Sequence, residues 1–149
     1  MRSWAILLLS LVGTFIIDQS IKQMFLDGYY YASSCIDFEL HFNKGVAFSM
    51  FAFLGDYLKW LQLLMVLLLI VIAFKEKFLS NYPLAMGFLL GGAIGNLYDR
   101  FTHGAVVDYV AWHCGFRFAV FNYADIAIDL AVAFIAFSLF LKSRKDKSR

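Results

Sequence analysis

Four apolar stretches constrain this chain more than any other feature: residues 3–22, 57–74, 82–98 and 118–141, each about the length a helix needs to cross a bilayer. Within them 3–17 and 60–74 carry no charge, 82–98 has none before Asp99 and Arg100, and 118–141 is interrupted by Asp125 and Asp129. Helical periodicity says little when every face meets lipid or another helix, so length and flanking charge decide. Residues AVILMFWYC make up 62% of the 149, against about 45–50% apolar in an ordinary soluble domain, so one core cannot hide this much apolar surface from water. The expected fold is a single all-α integral membrane domain, residues 1–149, with four transmembrane helices and a basic tail at 142–149. Seventeen Phe, eight Tyr and three Trp outnumber the thirteen Lys and Arg, and the net charge is only +2, so no nucleic-acid partner is expected.

Orientation follows from Lys and Arg in the short flanking segments. With both termini cytoplasmic, the inside carries Arg2, Lys75, Lys77, Lys142, Arg144, Lys145, Lys147 and Arg149, and the outside Lys22, Lys44, Lys59, Arg100 and Arg117. Met1-Arg2 before an apolar run resembles a signal peptide, but no small-residue cleavage site follows closely. Ala32-Ser33-Ser34-Cys35 is set apart from that run by Asp18, Lys22 and Asp27, so the first helix is expected to stay in the mature protein.

Between the first two spans, Tyr29-Tyr30-Tyr31, residues 36–42 and residues 46–51 are rich in strand formers, with Asn43-Lys44-Gly45 as a turn. A small extracytoplasmic β-sheet is expected there, between helices one and two. Phe48, Met50, Phe51 and Phe53 suit a lipid-touching element or an aromatic belt. Gly87, Gly91 and Gly95, with Gly92 and Ala93 beside them, mark a face for close helix packing. Cys35 and Cys114 both fall outside, where a disulfide is permitted, but two cysteines do not establish one. His41, His103 and His113 lack any HExxH or repeated CxxC spacing, so no metal site and no metal cofactor are expected, and no GxSxG elbow supports serine catalysis.

The topology gathers Asp18, Asn96, Asp99, Arg100, Asp108, Asn122 and Asp125 at the outer face, and ionisable groups near a membrane core mark a site by default. Structural readings remain for some: Asp18 and Lys22 form an i,i+4 pair, and Asp99 beside Arg100 could be a helix-end ion pair. Two carboxylates held close do not readily both ionise, which allows one to hold a proton while the other activates water. Which two acids pair is open from the residues alone. A small carrier using the acids as a proton relay, or an inert scaffold, are the other classes; the one-sided placement of the acids and the absence of an internal repeat disfavour the carrier.

Asp18-xxx-Lys22, Phe42-Asn43-Lys44-Gly45-Val46-Ala47-Phe48-Ser49, Gly91-Gly92-Ala93-Ile94-Gly95-Asn96-Leu97-Tyr98-Asp99-Arg100, Val106-Val107-Asp108-Tyr109 and Phe121-Asn122-Tyr123-Ala124-Asp125 resemble, in order and spacing, the successive motifs of the lipoprotein signal peptidase family, signal peptidase II. The resemblance implies an aspartic endopeptidase of the bacterial inner membrane that removes signal peptides from diacylglyceryl-modified prolipoproteins, cutting just before the lipid-modified cysteine. It implies Asp108 and Asp125 as the catalytic pair, with Asn43, Gly45, Asn96, Arg100, Asn122 and Ala124 holding the substrate. Asp18, Lys22 and Asp99 are implied as structural support, Asp99 by fixing Arg100. Membrane lipid and inhibition by cyclic peptide antibiotics are further implications. The chain departs from the pattern in two places. Asp129 stands one turn past Asp125, where we expect a neutral, hydrogen-bonded acid, and residues 118–121 lack the expected proline before the Asn motif.

Overall fold

The computed structural model describes residues 1–45 and 52–147, so the expectations on residues 46–51 lie outside the described residues. The chain forms α1 (Arg2–Leu26), β1 (Ile36–Asn43), a 3-10 turn (Ala52–Leu54), α2 (Tyr57–Lys75), a single-turn α3 (Phe78–Asn81), α4 (Pro83–Thr102), β2 (Val106–Trp112) and α5 (Tyr123–Lys147). Three of the helices, α1, α2 and α5, are long and apolar enough to cross a membrane. Their exposed side chains include Leu8, Leu9, Val12, Leu64, Leu67, Phe134 and Phe137, an outward face suited to lipid. The fourth stretch, α4, lies outside that group, because its glycines and its polar end at Asn96, Asp99 and Arg100 dilute its hydropathy.

The position of α4 explains this composition. Pro83 occupies its first turn, where the missing N–H costs nothing, and Gly87, Gly91, Gly92 and Gly95 are all buried against neighbouring helices. A Cβ on Gly91 would stand 2.6 Å from the Leu11 carbonyl oxygen on α1, and one on Gly92 would stand 2.7 Å from the Ala124 carbonyl oxygen on α5. The small-residue face expected from the sequence therefore serves both α1 and α5, and α4 is the hub they share. Towards the α2–α4 connection the interior is apolar, built from Leu7, Ala73, Leu79, Met86, Leu90 and Ala131. At the opposite end it is polar.

The sheet differs from the expected one in its partners. β1 pairs antiparallel with β2, which lies between α4 and α5, with Ile36 opposite Trp112, Phe38 opposite Val110, His41 opposite Asp108 and Asn43 opposite Val106. The register shifts between Phe38 and His41. Among the described residues one strand thus comes from the segment between α1 and α2, and its partner β2 offers strand formers from across the molecule. Tyr31 adds an isolated bridge to Phe38. A disulfide joins Cys35 to Cys114 across 79 residues and closes the far end of the sheet, beside the His113 N–H to Cys35 carbonyl bond of 3.0 Å.

Residues 118–122, expected as the start of the last span, are not helical. Phe121 pairs through its backbone with Val110 instead, and α5 begins at Tyr123. A reciprocal cap sets that start. The Asp125 N–H donates to Asn122 Oδ1 at 2.9 Å, and the Asn122 N–H donates to Asp125 Oδ2 at 3.1 Å, the two bonds of a capping box with Asp in the acidic position. The helix needs no proline before the Asn motif. At the other end α5 continues to Lys147, so most of the basic tail is helical.

Candidate active site

The polar end of the bundle is assembled from α1, α4, β1, β2 and the first turn of α5. At its base the Lys22 ammonium spends its three N–H bonds on Asp18 Oδ2 at 2.7 Å, Asp99 Oδ2 at 2.7 Å and Asn96 Oδ1 at 2.9 Å. Lys22, Asp18 and Asp99 are each at most 1% exposed, so a buried cation is balanced by two buried anions with its donors satisfied, the condition under which such a cluster is tolerated. Each carboxylate also grips a distant backbone. Asp18 Oδ1 accepts the Ala124 N–H at 3.1 Å, and Asp99 Oδ2 accepts the Val107 N–H at 3.1 Å. Val107 and Ala124 immediately precede Asp108 and Asp125.

Gln19, which the sequence reading passed over, completes the base. Its Nε2 donates to Asp99 Oδ1 at 3.0 Å and Asp18 Oδ2 at 3.1 Å. Its place beside Asp18 was the available signal. The expectation that Asp99 fixes Arg100 is corrected: Asp99 binds Lys22, Gln19 and Val107, and Arg100 Nη2 donates to the Gly45 carbonyl. The Asp99 carboxylate turns to the cation already buried in the bundle, which frees the guanidinium to reach the β1 turn. Arg100 Nε is buried with no hydrogen-bond partner among the described residues.

Three asparagines present amide N–H groups to Asp108 and Asp125, and each amide is oriented by an unambiguous donor. Asn43 Oδ1 accepts the Gly45 N–H at 3.0 Å, so its Nδ2 faces Asp108 Oδ2 at 2.9 Å. Asn122 Oδ1 is held by the Asp125 N–H, so its Nδ2 reaches Asp108 Oδ1 at 2.7 Å. Asn96 Oδ1 is held by Lys22 and by Asn122 Nδ2 at 3.1 Å, so its own Nδ2 donates to Asp125 Oδ1 at 2.8 Å. Asn122 therefore touches both carboxylates, Asp108 through its side chain and Asp125 through its backbone. Tyr109, stacked on Phe25 with ring centroids 4.3 Å apart, accepts the Tyr123 N–H on its hydroxyl at 3.0 Å and steadies the same turn.

Burial pushes the Asp108 carboxyl up to about 6, against the lowering effect of the Asn43 hydrogen bond and with a raising contribution from the charge of Asp125. Asp108 also borders a cavity of about 360 Å³ with His41, Phe42, Asn43, Phe118 and Val120. Ala124 is wholly buried, its carbonyl against Gly92 and its N–H on Asp18. Asp129 differs from expectation: it is exposed and has no hydrogen bond or ion pair among the described residues, because it follows the outward face of α5 while Ala127 and Ala131 face inward. The other residues singled out from the sequence, Asp18, Lys22, Asn43, Gly45, Asn96, Asp99, Arg100, Asp108, Asn122 and Asp125, converge on this one region.

Comparison with known proteins points to one family. The model of the signal peptidase (SPase) II family matches residues 10–141. The lipoprotein signal peptidase of Sulfurovum sp. (strain NBC37-1) is 64% identical over 135 residues, covering 91% of this chain and 92% of that protein. The lipoprotein signal peptidase of Wolinella succinogenes is 47% identical over 134 residues, covering 89% of this chain and 92% of that protein. Among solved structures, a bacterial membrane enzyme determined by the in meso method at 2.3 Å resolution superposes with a TM-score of 0.80 at 24% identity, over 96% of this chain and 92% of that one.

Proposed function

This chain belongs to the signal peptidase II family, and from that premise we propose that it is a membrane-embedded aspartic endopeptidase acting on prolipoproteins. The observation that carries the aspartic reading is the bridging of Asp108 and Asp125 by the single residue Asn122, with Asp108 lining a cavity of about 360 Å³. One carboxylate takes a proton from water as the water oxygen adds to the scissile carbonyl carbon. The other gives its proton to the amide nitrogen as the C–N bond breaks. Asp108, held near 6 by burial, keeps a proton at a pH where an ordinary carboxyl has lost it, which suits half of such a pair.

The surrounding groups fit the substrate side of this reaction. Asn43, Asn96 and Asn122 orient the carboxylates, Arg100 fixes the Gly45 carbonyl in the turn whose N–H holds Asn43, and the Arg100 Nε left without a partner among the described residues is the donor assigned to a substrate carbonyl. Ala124 acts by being small, which lets the turn that carries Asp125 lie against Gly92. Asp18, Lys22 and Asp99 hold the frame.

The remaining features follow from the family and the charge distribution. The substrates are diacylglyceryl-modified prolipoproteins, cut before the lipid-modified cysteine, and cyclic peptide antibiotics inhibit. In this arrangement α4 is the fourth span: its 20 residues rise about 30 Å. The domain lies in the bacterial inner membrane with both termini cytoplasmic, and the site and sheet face the extracytoplasmic side. A gel-shift assay in detergent tests the reading with lipidated and unmodified precursors side by side. Cleavage of the lipidated precursor alone supports it, and a folded protein that cuts neither precursor refutes it.

A further inference from the structure

The cluster at Lys22 does more than close the bundle. Its two carboxylates hold the backbone N–H groups of Val107 and Ala124, the residues directly before Asp108 and Asp125, and the third N–H of the ammonium goes to Asn96 Oδ1. An ammonium has no acceptor, so Asn96 is compelled to turn its Nδ2 towards Asp125. A cation bound to the amide oxygen also polarises the amide and strengthens its N–H as a donor. Asp125 Oδ2 meanwhile accepts a backbone N–H at the N-terminus of α5, where the helix dipole favours negative charge.

We propose that Lys22 is the positioning residue of the carboxylate pair: through Asn96 it makes Asp125 the member that enters the reaction ionised and leaves Asp108 as the acid. The inference rests on the aspartic reading above. It assigns a direction to the chemistry, in which water gives its proton to Asp125 and the departing amide nitrogen receives one from Asp108. The charged or titratable groups that act on Asp125 are Asp108 and Tyr109 from β2, Arg100 from α4, Lys22 from α1, and Asp129 on its own helix, with Asp18 and Asp99 behind them on Lys22. Of the two cations in that set, Arg100 is committed to the Gly45 carbonyl, and Lys22 is the one joined to Asp125 through a bonded side chain.

The test compares pH profiles of kcat/KM for lipidated-precursor cleavage by the wild type, Lys22→Met and the triple variant Asp18→Asn/Lys22→Met/Asp99→Asn. Lys22→Met leaves two buried carboxylates without their cation and is prone to misfold; the triple variant removes the cation and both anions together, so no uncompensated charge is left buried. If Lys22 acts through Asn96, the folded variants show the acid limb of the profile moved up by about one pH unit, with kcat/KM below the limb down about tenfold and KM little changed. If Lys22 only balances charge, the triple variant folds and its profile coincides with that of the wild type, which overturns the proposal. A wild type that cuts no lipidated precursor refutes the aspartic reading itself, whereas a wild type that cuts while the triple variant's profile is unmoved refutes only the role of Lys22.

Discussion

Asp18 Oδ1 accepts the backbone N–H of Ala124 at 3.1 Å, a bond between the first helix and the last that spans 106 residues of sequence and ends beside Asp125. The same carboxylate pairs with Lys22, and both side chains are almost fully buried. Asp18→Ala leaves Lys22 paired with Asp99 but removes one buried ion pair and the acceptor of the Ala124 N–H, so it is expected to cost about 1.5–3 kcal/mol. Chemical or thermal unfolding in detergent checks this, and a loss below about 1 kcal/mol would show that the cluster is dispensable to the fold.

Asp108 makes stability depend on pH in a definite sense. Its folded value of about 6 lies above the unfolded value of 3.8, so its favourable contribution is complete below about pH 4 and is lost as pH rises through 6. The difference corresponds to about 3 kcal/mol between the two limits. Asp108→Asn does not titrate. Its stability relative to the wild type is therefore expected to improve between pH 4 and pH 7, measured as the difference in Tm at each pH, and a difference that stays flat would contradict the burial of an ionising group.

The approach of α5 to α4 at Gly92 is an independent lever on the site. A Cβ there stands 2.7 Å from the Ala124 carbonyl oxygen and 3.0 Å from Ile128 Cγ1, so Gly92→Ala pushes away the turn that carries Asp125. A cost of about 1–3 kcal/mol is expected, with a larger proportional loss of cleavage. Gly13→Ala is the control. Nothing lies within 4 Å of its Cβ position, and alanine is expected to leave cleavage intact and add about 0.5–1 kcal/mol of helix stability.

The Cys35–Cys114 disulfide closes a long loop around the sheet. By the chain-entropy relation it contributes about 4 kcal/mol, so Cys35→Ser/Cys114→Ser is expected to unfold at clearly lower temperature than the oxidised wild type. Adding reductant to the wild type should lower its Tm towards that of the variant. A variant as stable as the wild type would show that the strand pairing holds without the bond.

Parts of this architecture can be read in the chain because their chemistry is local. The capping box needs only Asn122 and Asp125 at a spacing of three, and the close helix contacts need only glycines four apart. The sheet is different: residues 36–42 carry strand formers that could pair with any neighbour, and only the tertiary arrangement brings Val106–Trp112 to them. The disulfide follows from that same pairing. Phe118 to Phe121 are as apolar as a span, yet Phe121 is drawn into backbone pairing with Val110, which shortens the last helix at its start. Adjacency in sequence misled at Asp99 and Arg100, where the carboxylate turns to a lysine 77 residues away and the guanidinium to a loop carbonyl. Asp129 needed the helix phase to show that it faces outward.

The central claim is that Asp108 and Asp125 act together on a peptide bond. Its most direct measurement is single-turnover cleavage of a diacylglyceryl-modified prolipoprotein by the wild type, Asp108→Asn and Asp125→Asn, each shown to be folded by its unfolding transition. Acting as a pair, the two acids predict that each substitution alone abolishes cleavage, with the double variant no worse than either single one. A folded Asp108→Asn or Asp125→Asn protein that still cuts at a rate near that of the wild type would contradict the claim.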